Sequence, residues 1–322
     1  MSRQERCESR YGSHRRHWVV FVIFACLLGP LGLLFLGSLP EEEPVTRVKR
    51  PATDPRLFTP QLSPQAAAQM LRTRVGQVAA EYSGTYGVVI FDPSSDETVA
   101  LSADQRFLAA SLTKLPVLLT LYRAAALGEV SLDEKITLRP SDVWTHGTGV
   151  LYRYPVGHTM TLRECAEFMI EESDNTAWVM LNRYLGEEKI ETELHHIGAR
   201  STSYWLPNAT TPNDILVVLK TIADPSYTSP ELSAEMLEIM TNTSFEDRLP
   251  QPLPEGTRVA HKIGSYESTF SDAGIVFPEG RSSTDQGYYV VVFSEGATEN
   301  EARNVIQDIS LAAYRALARS NA

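Results

Sequence analysis

Apolar residues return at two different periods along this chain, and the switches between them mark its elements. From Ser63 to Tyr82 they recur every three or four positions, behind a Ser63 that can cap and a Pro64 that suits a first turn, so this segment reads as a helix. Thr85–Phe91 (TYGVVIF) reads as a strand, Asp92–Asp96 as a turn, and Thr98–Ser102 as a second strand. An apolar helix follows from Ser111 to about Leu127, with Gly128 to end it. Between Leu132 and Met240 the pattern is helical, over Thr161–Glu172, Asn175–Leu185, Glu188–His195, Pro212–Ile222 and Pro230–Met240. Strands return at Thr257–Ile263, Ser271–Phe277 and Tyr288–Phe293, and a helix over Glu299–Ala318 closes the chain. Strands at both ends and helices between them predict one sheet built from both chain ends, with a helical part inserted. The closing strands have short links, which predicts an antiparallel meander. A cleft between sheet and insert is the natural place for a site.

The segment before this body follows a different pattern. Trp18–Ser38 is uncharged and mostly apolar over 21 positions, about 30 Å of helix and enough to cross a bilayer core. Residues 1–17 carry five Arg against two Glu, and Glu41–Glu43 follow the apolar run. That asymmetry predicts a cytoplasmic basic segment over 1–17, an anchor over 18–38 and an extracytoplasmic body. A cleaved signal peptide would have a shorter apolar region and a small-residue cleavage site, and no clean site of that kind follows. Residues 39–62 hold five prolines among polar residues and read as a semi-extended linker. The folded body is expected over 63–320, its sheet part over 63–127 and 255–320 and its helical part over 128–254.

Composition narrows the partners. The chain is 43% hydrophobic and 21% charged, ordinary for a globular protein. Its net charge is −11 despite the basic N-terminus, so nucleic acid is an unsuitable partner. Of three cysteines only Cys165 lies in the body, which excludes a disulfide there. Cys165 sits at helical spacing with Leu162, Ala166, Met169 and Ile170, the setting of a small buried apolar residue. No motif calls for a metal or organic cofactor.

Three short motifs could carry chemistry. In Ser111-Leu112-Thr113-Lys114, a serine and a lysine three apart on a helix share a face, so the amine can reach the hydroxyl. Apolar neighbours would desolvate the lysine and lower its pKa toward that of a working base. Ser173-Asp174-Asn175 lies between two helical segments, where capping explains Asp174 or Asn175 well. Lys262-Ile263-Gly264 ends a strand, where a lysine usually protects an edge. Each alone has an ordinary structural explanation. All three occur here in one order, on suitable elements.

Together they resemble the penicillin-recognising serine hydrolases, specifically the class A β-lactamase-like family, with its S-x-x-K at a helix start, S-D-N in the helical part and K-T-G on an edge strand. Ser173–Ala177 (SDNTA), Thr210-Thr211-Pro212, Asp247–Pro250 (DRLP), Pro254–Gly264 (PEGTRVAHKIG) and Phe270–Val276 (FSDAGIV) are similar to family segments as well, and the resemblance covers about residues 63–320. It implies a β-lactamase/transpeptidase-like α/β (α+β) fold, with a five-stranded antiparallel sheet flanked by helices and an inserted helical subdomain. It implies Ser111 as nucleophile, Lys114 as its base, Ser173 as proton donor to the leaving nitrogen and Lys262 as the positive charge beside Ser173. Asn175 would hold a substrate amide. The oxyanion would face the backbone N–H groups of Ser111 and of Ser265, next to Gly264. The implied partner is a β-lactam or a cell-wall peptide, taken by a monomer.

Two departures stand out. Class A enzymes carry a deacylating glutamate just before the T-T-P helix, but between Leu194 and Pro230 there is no Glu, and the only Asp are Asp214 and Asp224. Asp214 sits at a helix start, where the helix dipole explains an acidic residue. Ile263 replaces the usual Thr or Ser, removing a hydroxyl that could bond a carboxylate. The expectation is therefore an anchored serine hydrolase of β-lactams, with a D,D-peptidase of slow deacylation as the near alternative. A non-catalytic β-lactam sensor would have no need of Ser111, Lys114, Ser173, Asn175 and Lys262 together.

Overall fold

Ser63 caps the first helix as its sequence predicts: its hydroxyl accepts the Ala66 amide, and α1 runs over Pro64–Glu81. The computed structural model describes residues 63–318 except Leu206, Ser282, Ser283 and Asp285. The predicted basic segment (1–17), membrane anchor (18–38) and linker (39–62) lie outside the described residues. Among the described residues no helix is long and apolar enough to cross a membrane.

Strands β1 (Thr85–Asp92) and β2 (Glu97–Leu101) form the first hairpin, and a short β3 (Phe107–Leu108) leads to a single 3-10 turn at Ala110–Thr113. Helix α2 (Lys114–Ala126) follows, then a small ladder of β4 (Lys135–Thr137) with β5 (Thr159–Thr161). The helical part continues with α3 (Leu162–Glu171), α4 (Asn175–Leu185) and α5 (Glu187–Ile197), then, after β6 (Ala209–Thr210), with α6 (Pro212–Ala223) and α7 (Pro230–Thr241). The chain closes with β7 (Arg258–Tyr266), β8 (Thr269–Phe277), β9 (Tyr288–Glu295) and α8 (Glu299–Leu317). The main sheet is five-stranded in the order β2-β1-β9-β8-β7 and antiparallel throughout, so both chain ends build it, as expected.

The unbroken apolar run in β1 has a physical reason. Val88 and Ile90 pack with Leu71, Val75, Val305 and Ile309 of α1 and α8 on one face, while Val89 and Phe91 join the core beneath the helical part on the other. A strand buried on both faces has no solvent side on which to alternate. Full burial of each such side chain contributes about 1.5–3 kcal/mol. Cys165 is buried in the helical core, and burial pushes its thiol far up, as suits a packing residue.

Two expectations need correction, and two small ladders were not foreseen. The α-helix begins at Lys114 rather than at Ser111, because Ala110 has φ +48°, outside the helical region, and the next residues wind as a 3-10 turn. Strand β7 continues past Ile263 through Gly264 and Ser265 to Tyr266, paired throughout with β8. The small β3–β6 and β4–β5 ladders are two and three residues long, too short to leave a period in the sequence. The β3–β6 ladder matters for the site: it lays the segment before α6 against the strand that precedes Ser111, and the Ala109 amide donates to the Asn208 carbonyl at 3.1 Å.

Candidate active site

The three motifs meet where the end of β7, the 3-10 turn and the start of α4 converge. Lys114 Nζ lies 3.2 Å from Ser111 Oγ, 3.1 Å from Ser173 Oγ, 2.5 Å from the Ser173 carbonyl and 2.7 Å from Asn175 Oδ1. Lys262 Nζ donates to the other side of the same Ser173 hydroxyl at 2.9 Å and to the Ile263 carbonyl at 3.1 Å. Two lysine side chains thus share one hydroxyl, and Lys114 and Lys262 are fully buried while Ser111 is part-exposed.

Electrostatics follow from that burial. Desolvation holds Lys114 well below the ordinary lysine value, the neighbouring Lys262 pushes it further down, and only Asp174 opposes. Burial also brings Lys262 down to about 7, with Asp272 resisting and Arg248 assisting. An amine so placed can be neutral near neutral pH and accept a proton.

Local backbone does the positioning. Ala110 and Ser173, one beside the serine of the first motif and the other leading the second, both have positive φ, +48° and +50°. Such conformations cost of order 1–3 kcal/mol each and persist only where the surroundings impose them. Around Ser173 the surroundings are the loop 144–151. Thr148 Oγ1 donates to the Ser173 carbonyl at 2.6 Å, the Asn175 amide donates to the Thr148 carbonyl, and Asn175 Nδ2 donates to the His146 carbonyl. Asp174 caps α4 through the Ala177 amide and also accepts the Val150 and Leu151 amides. A Cβ at Gly149 (φ +109°) would stand 2.3 Å from the Asp174 carboxylate, so the loop closes only with glycine there.

Gly264 is the second close approach. A Cβ on it would lie 2.5 Å from Ser271 Oγ and 3.0 Å from the Ala109 carbonyl, so its absence lets β7 abut the turn carrying Ser111. In an antiparallel ladder successive residues turn their backbone groups alternately toward and away from the partner strand. The Ile263 carbonyl is taken by Lys262 Nζ on the unpaired side, so Ser265, two positions on, also presents its backbone to that side.

Of the residues singled out from the sequence, Ser111, Lys114, Ser173, Asn175 and Lys262 join this cluster by hydrogen bonds, Gly264 lies against the turn, and Ser265 follows it on β7 with its Oγ held by Arg248. Asp214 does not join it. Its carboxylate accepts the Thr202 hydroxyl at 2.8 Å, and its amide donates to the capping Thr211 hydroxyl. Among the described residues no carboxylate hydrogen-bonds to Ser111, Lys114 or Ser173. Sequence reasoning missed Arg248. It is buried, and it donates to the Gly264 carbonyl at 2.9 Å, the Ser271 carbonyl at 2.6 Å and Ser265 Oγ at 2.5 Å. The DRLP segment contained it, but nothing in a lone arginine pointed to β7.

Comparison with known proteins agrees with this geometry. The profile of the beta-lactamase enzyme family matches residues 69–317. Beta-lactamase 3 of Bacillus cereus is 27% identical over an alignment of 219 residues that covers 62% of this chain and 66% of that protein. A β-lactamase from Sphaerobacter thermophilus, solved by crystallography, aligns at TM-score 0.69 with 29% identity over 77% of this chain and 97% of its own. A point variant of PBP-A, solved as an acyl-enzyme complex with penicillin G, aligns at TM-score 0.71 with 27% identity over 77% and 96%.

Proposed function

The chain belongs to the beta-lactamase enzyme family, and from that premise we propose that it opens β-lactam amides by acylating Ser111 and releases the product slowly. The observation that carries this reading is the continuous set of hydrogen bonds Ser111–Lys114–Ser173–Lys262. Lys114, its pKa held well down by burial, takes the proton of Ser111 as Oγ attacks the lactam carbonyl. The negative charge that develops on the carbonyl oxygen faces the Ser111 and Ser265 amides. When the C–N bond breaks, the Ser173 hydroxyl gives its proton to the leaving nitrogen and recovers one from the lysines on either side. Asn175 Nδ2, with one hydrogen on the His146 carbonyl, has its other for a substrate carbonyl. Adduct mapping tests this: after incubation with penicillin G, the added mass is expected on the peptide that holds Ser111, and an adduct elsewhere would refute the assignment.

Completing hydrolysis needs a base for water on the ester, and Asp214 is held by Thr202 and its own cap. The acyl-enzyme therefore accumulates. That favours, as a second reading of the same site, a D,D-peptidase acting on cell-wall peptides, and a lasting adduct is in line with the likeness to the PBP-A variant solved as an acyl-enzyme with penicillin G. Ile263 removes a hydroxyl toward a substrate carboxylate, a loss of about 1.5–3 kcal/mol or roughly 10- to 100-fold in affinity.

We place the body on the outer side of a membrane, on the strength of the uncharged run over 18–38 and the basic residues before it. Deleting residues 1–40 is expected to move the protein from the membrane fraction to the supernatant. A truncated protein that still sedimented with membranes would overturn the single-anchor arrangement.

A further inference from the structure

Lys262 and Ser265 act from an edge strand. β7 has β8 on one side only, and its other side meets the 3-10 turn rather than another strand. Edge backbones open more easily than central ones, yet a catalytic edge must stay within a fraction of an ångström of its working position.

What braces β7 is a set of buried charges outside the hydrogen-bonded catalytic cluster. Asp272 of β8, the register partner of Ile263, is fully buried. Its carboxylate bonds His261 Nδ1 at 2.8 Å and accepts the Leu249 amide at 3.0 Å. The neighbouring Arg248 turns its guanidinium onto Gly264, Ser265 and Ser271. The Leu249 carbonyl is held in turn by Ser310 Oγ of α8 at 2.7 Å, and Asp247 pairs with Arg303. Asp272 thus joins β8, β7 and the 247–249 segment at one point. Buried ions are poor evidence of stabilisation for its own sake. What this set fixes is the position of Gly264 and Ser265.

We infer that Asp272, acting through His261 and the Arg248–Leu249 segment, is a positioning residue that holds the β7 edge so that Lys262 and the Ser265 amide face Ser111. The inference rests on the reading of Ser111 as nucleophile and of the Ser265 amide as oxyanion donor. Burial alone would push the His261 pKa down, but the adjoining Asp272 carboxylate outweighs it and carries it up to about 9, with Glu246 adding to the effect. His261 is therefore held toward its charged form at neutral pH. The charged groups facing Lys262 are Lys114 on α2, Asp272 on β8 and Arg248, and of these Asp272 favours its ammonium form.

The test is Asp272→Asn in the full-length chain, read by the rate of acylation by penicillin G across pH and by amide hydrogen exchange. Acylation is expected to slow by about 10- to 100-fold, the range seen when a supporting hydrogen bond behind a working group is lost. The alkaline limb should move to lower pH, and exchange should quicken over residues 258–266 but not in β1 or β9. His261→Asn, which keeps a donor near the Nδ1 position for Asp272 without the charge, should slow acylation and quicken exchange in β7 by less, and should not lower the alkaline limb, because Asp272 keeps its carboxylate beside Lys262; it serves if Asp272→Asn does not fold. Wild-type acylation at every pH with wild-type exchange in β7 would overturn the inference, as would exchange rising equally across the sheet. If the wild-type protein itself is not acylated, the functional reading fails, and the exchange measurement alone still decides whether Asp272 holds the edge.

Discussion

Replacing Ser111 with alanine is expected to abolish covalent labelling by a penicillin, with acylation lowered by about a thousand-fold or more. The reason is geometric as well as chemical. Ser111 Oγ is the part-exposed hydroxyl that pairs with Lys114. Ser173 Oγ is buried and already shared by two lysines, which suits a proton relay rather than the attacking oxygen. The substitution removes only a part-exposed hydroxyl, so the folded state should be retained and the Tm little changed. Labelling that persisted in Ser111→Ala would show that another residue is acylated.

The second large effect concerns the base. Lys114→Met keeps the length and apolar stem of the side chain but removes the amine, and acylation is expected to fall by about 10²- to 10⁴-fold, the usual contribution of a positioned general base. The pH profile separates this from a packing defect. In the wild-type protein, acylation should rise with pH as the lysine pair loses its first proton, because only a neutral Lys114 can accept from Ser111. It should fall again as Lys262, with a pKa of about 7, loses the proton it supplies to Ser173. The acid limb should be absent in Lys114→Met. A variant with a wild-type profile scaled down uniformly would argue that Lys114 only fills space.

The sequence carried much of this arrangement, for reasons that differ from place to place. Strand β1 was legible because a strand buried on both faces is a continuous apolar run. The capped helix starts at Ser63, Asp174 and Pro212 were legible because capping is a local rule. The motifs containing Ser111, Ser173 and Lys262 were legible as a set, although each alone was ordinary. The register that brings them together was not. It depends on positive φ at Ala110 and Ser173 and on glycine at 149 and 264 where a Cβ would collide, and these are properties of contacts between distant segments. The bracing by Arg248, His261 and Asp272 was hidden for a similar reason: its residues lie on three segments, and burial rather than residue type gives them their meaning. The absence of a carboxylate between Leu194 and Asp214, by contrast, was plain in the sequence, and the structure adds that Asp214 is engaged elsewhere.

That absence makes the fate of the acyl-enzyme the most direct test. Purified protein mixed with a chromogenic cephalosporin, followed by colour and intact mass together, should give a burst of about one equivalent and then a slow rate, with a mass adduct on Ser111 that outlasts the burst. Sustained colour with no lasting adduct would contradict the account, since among the described residues no carboxylate hydrogen-bonds to Ser111, Lys114 or Ser173 to activate the deacylating water.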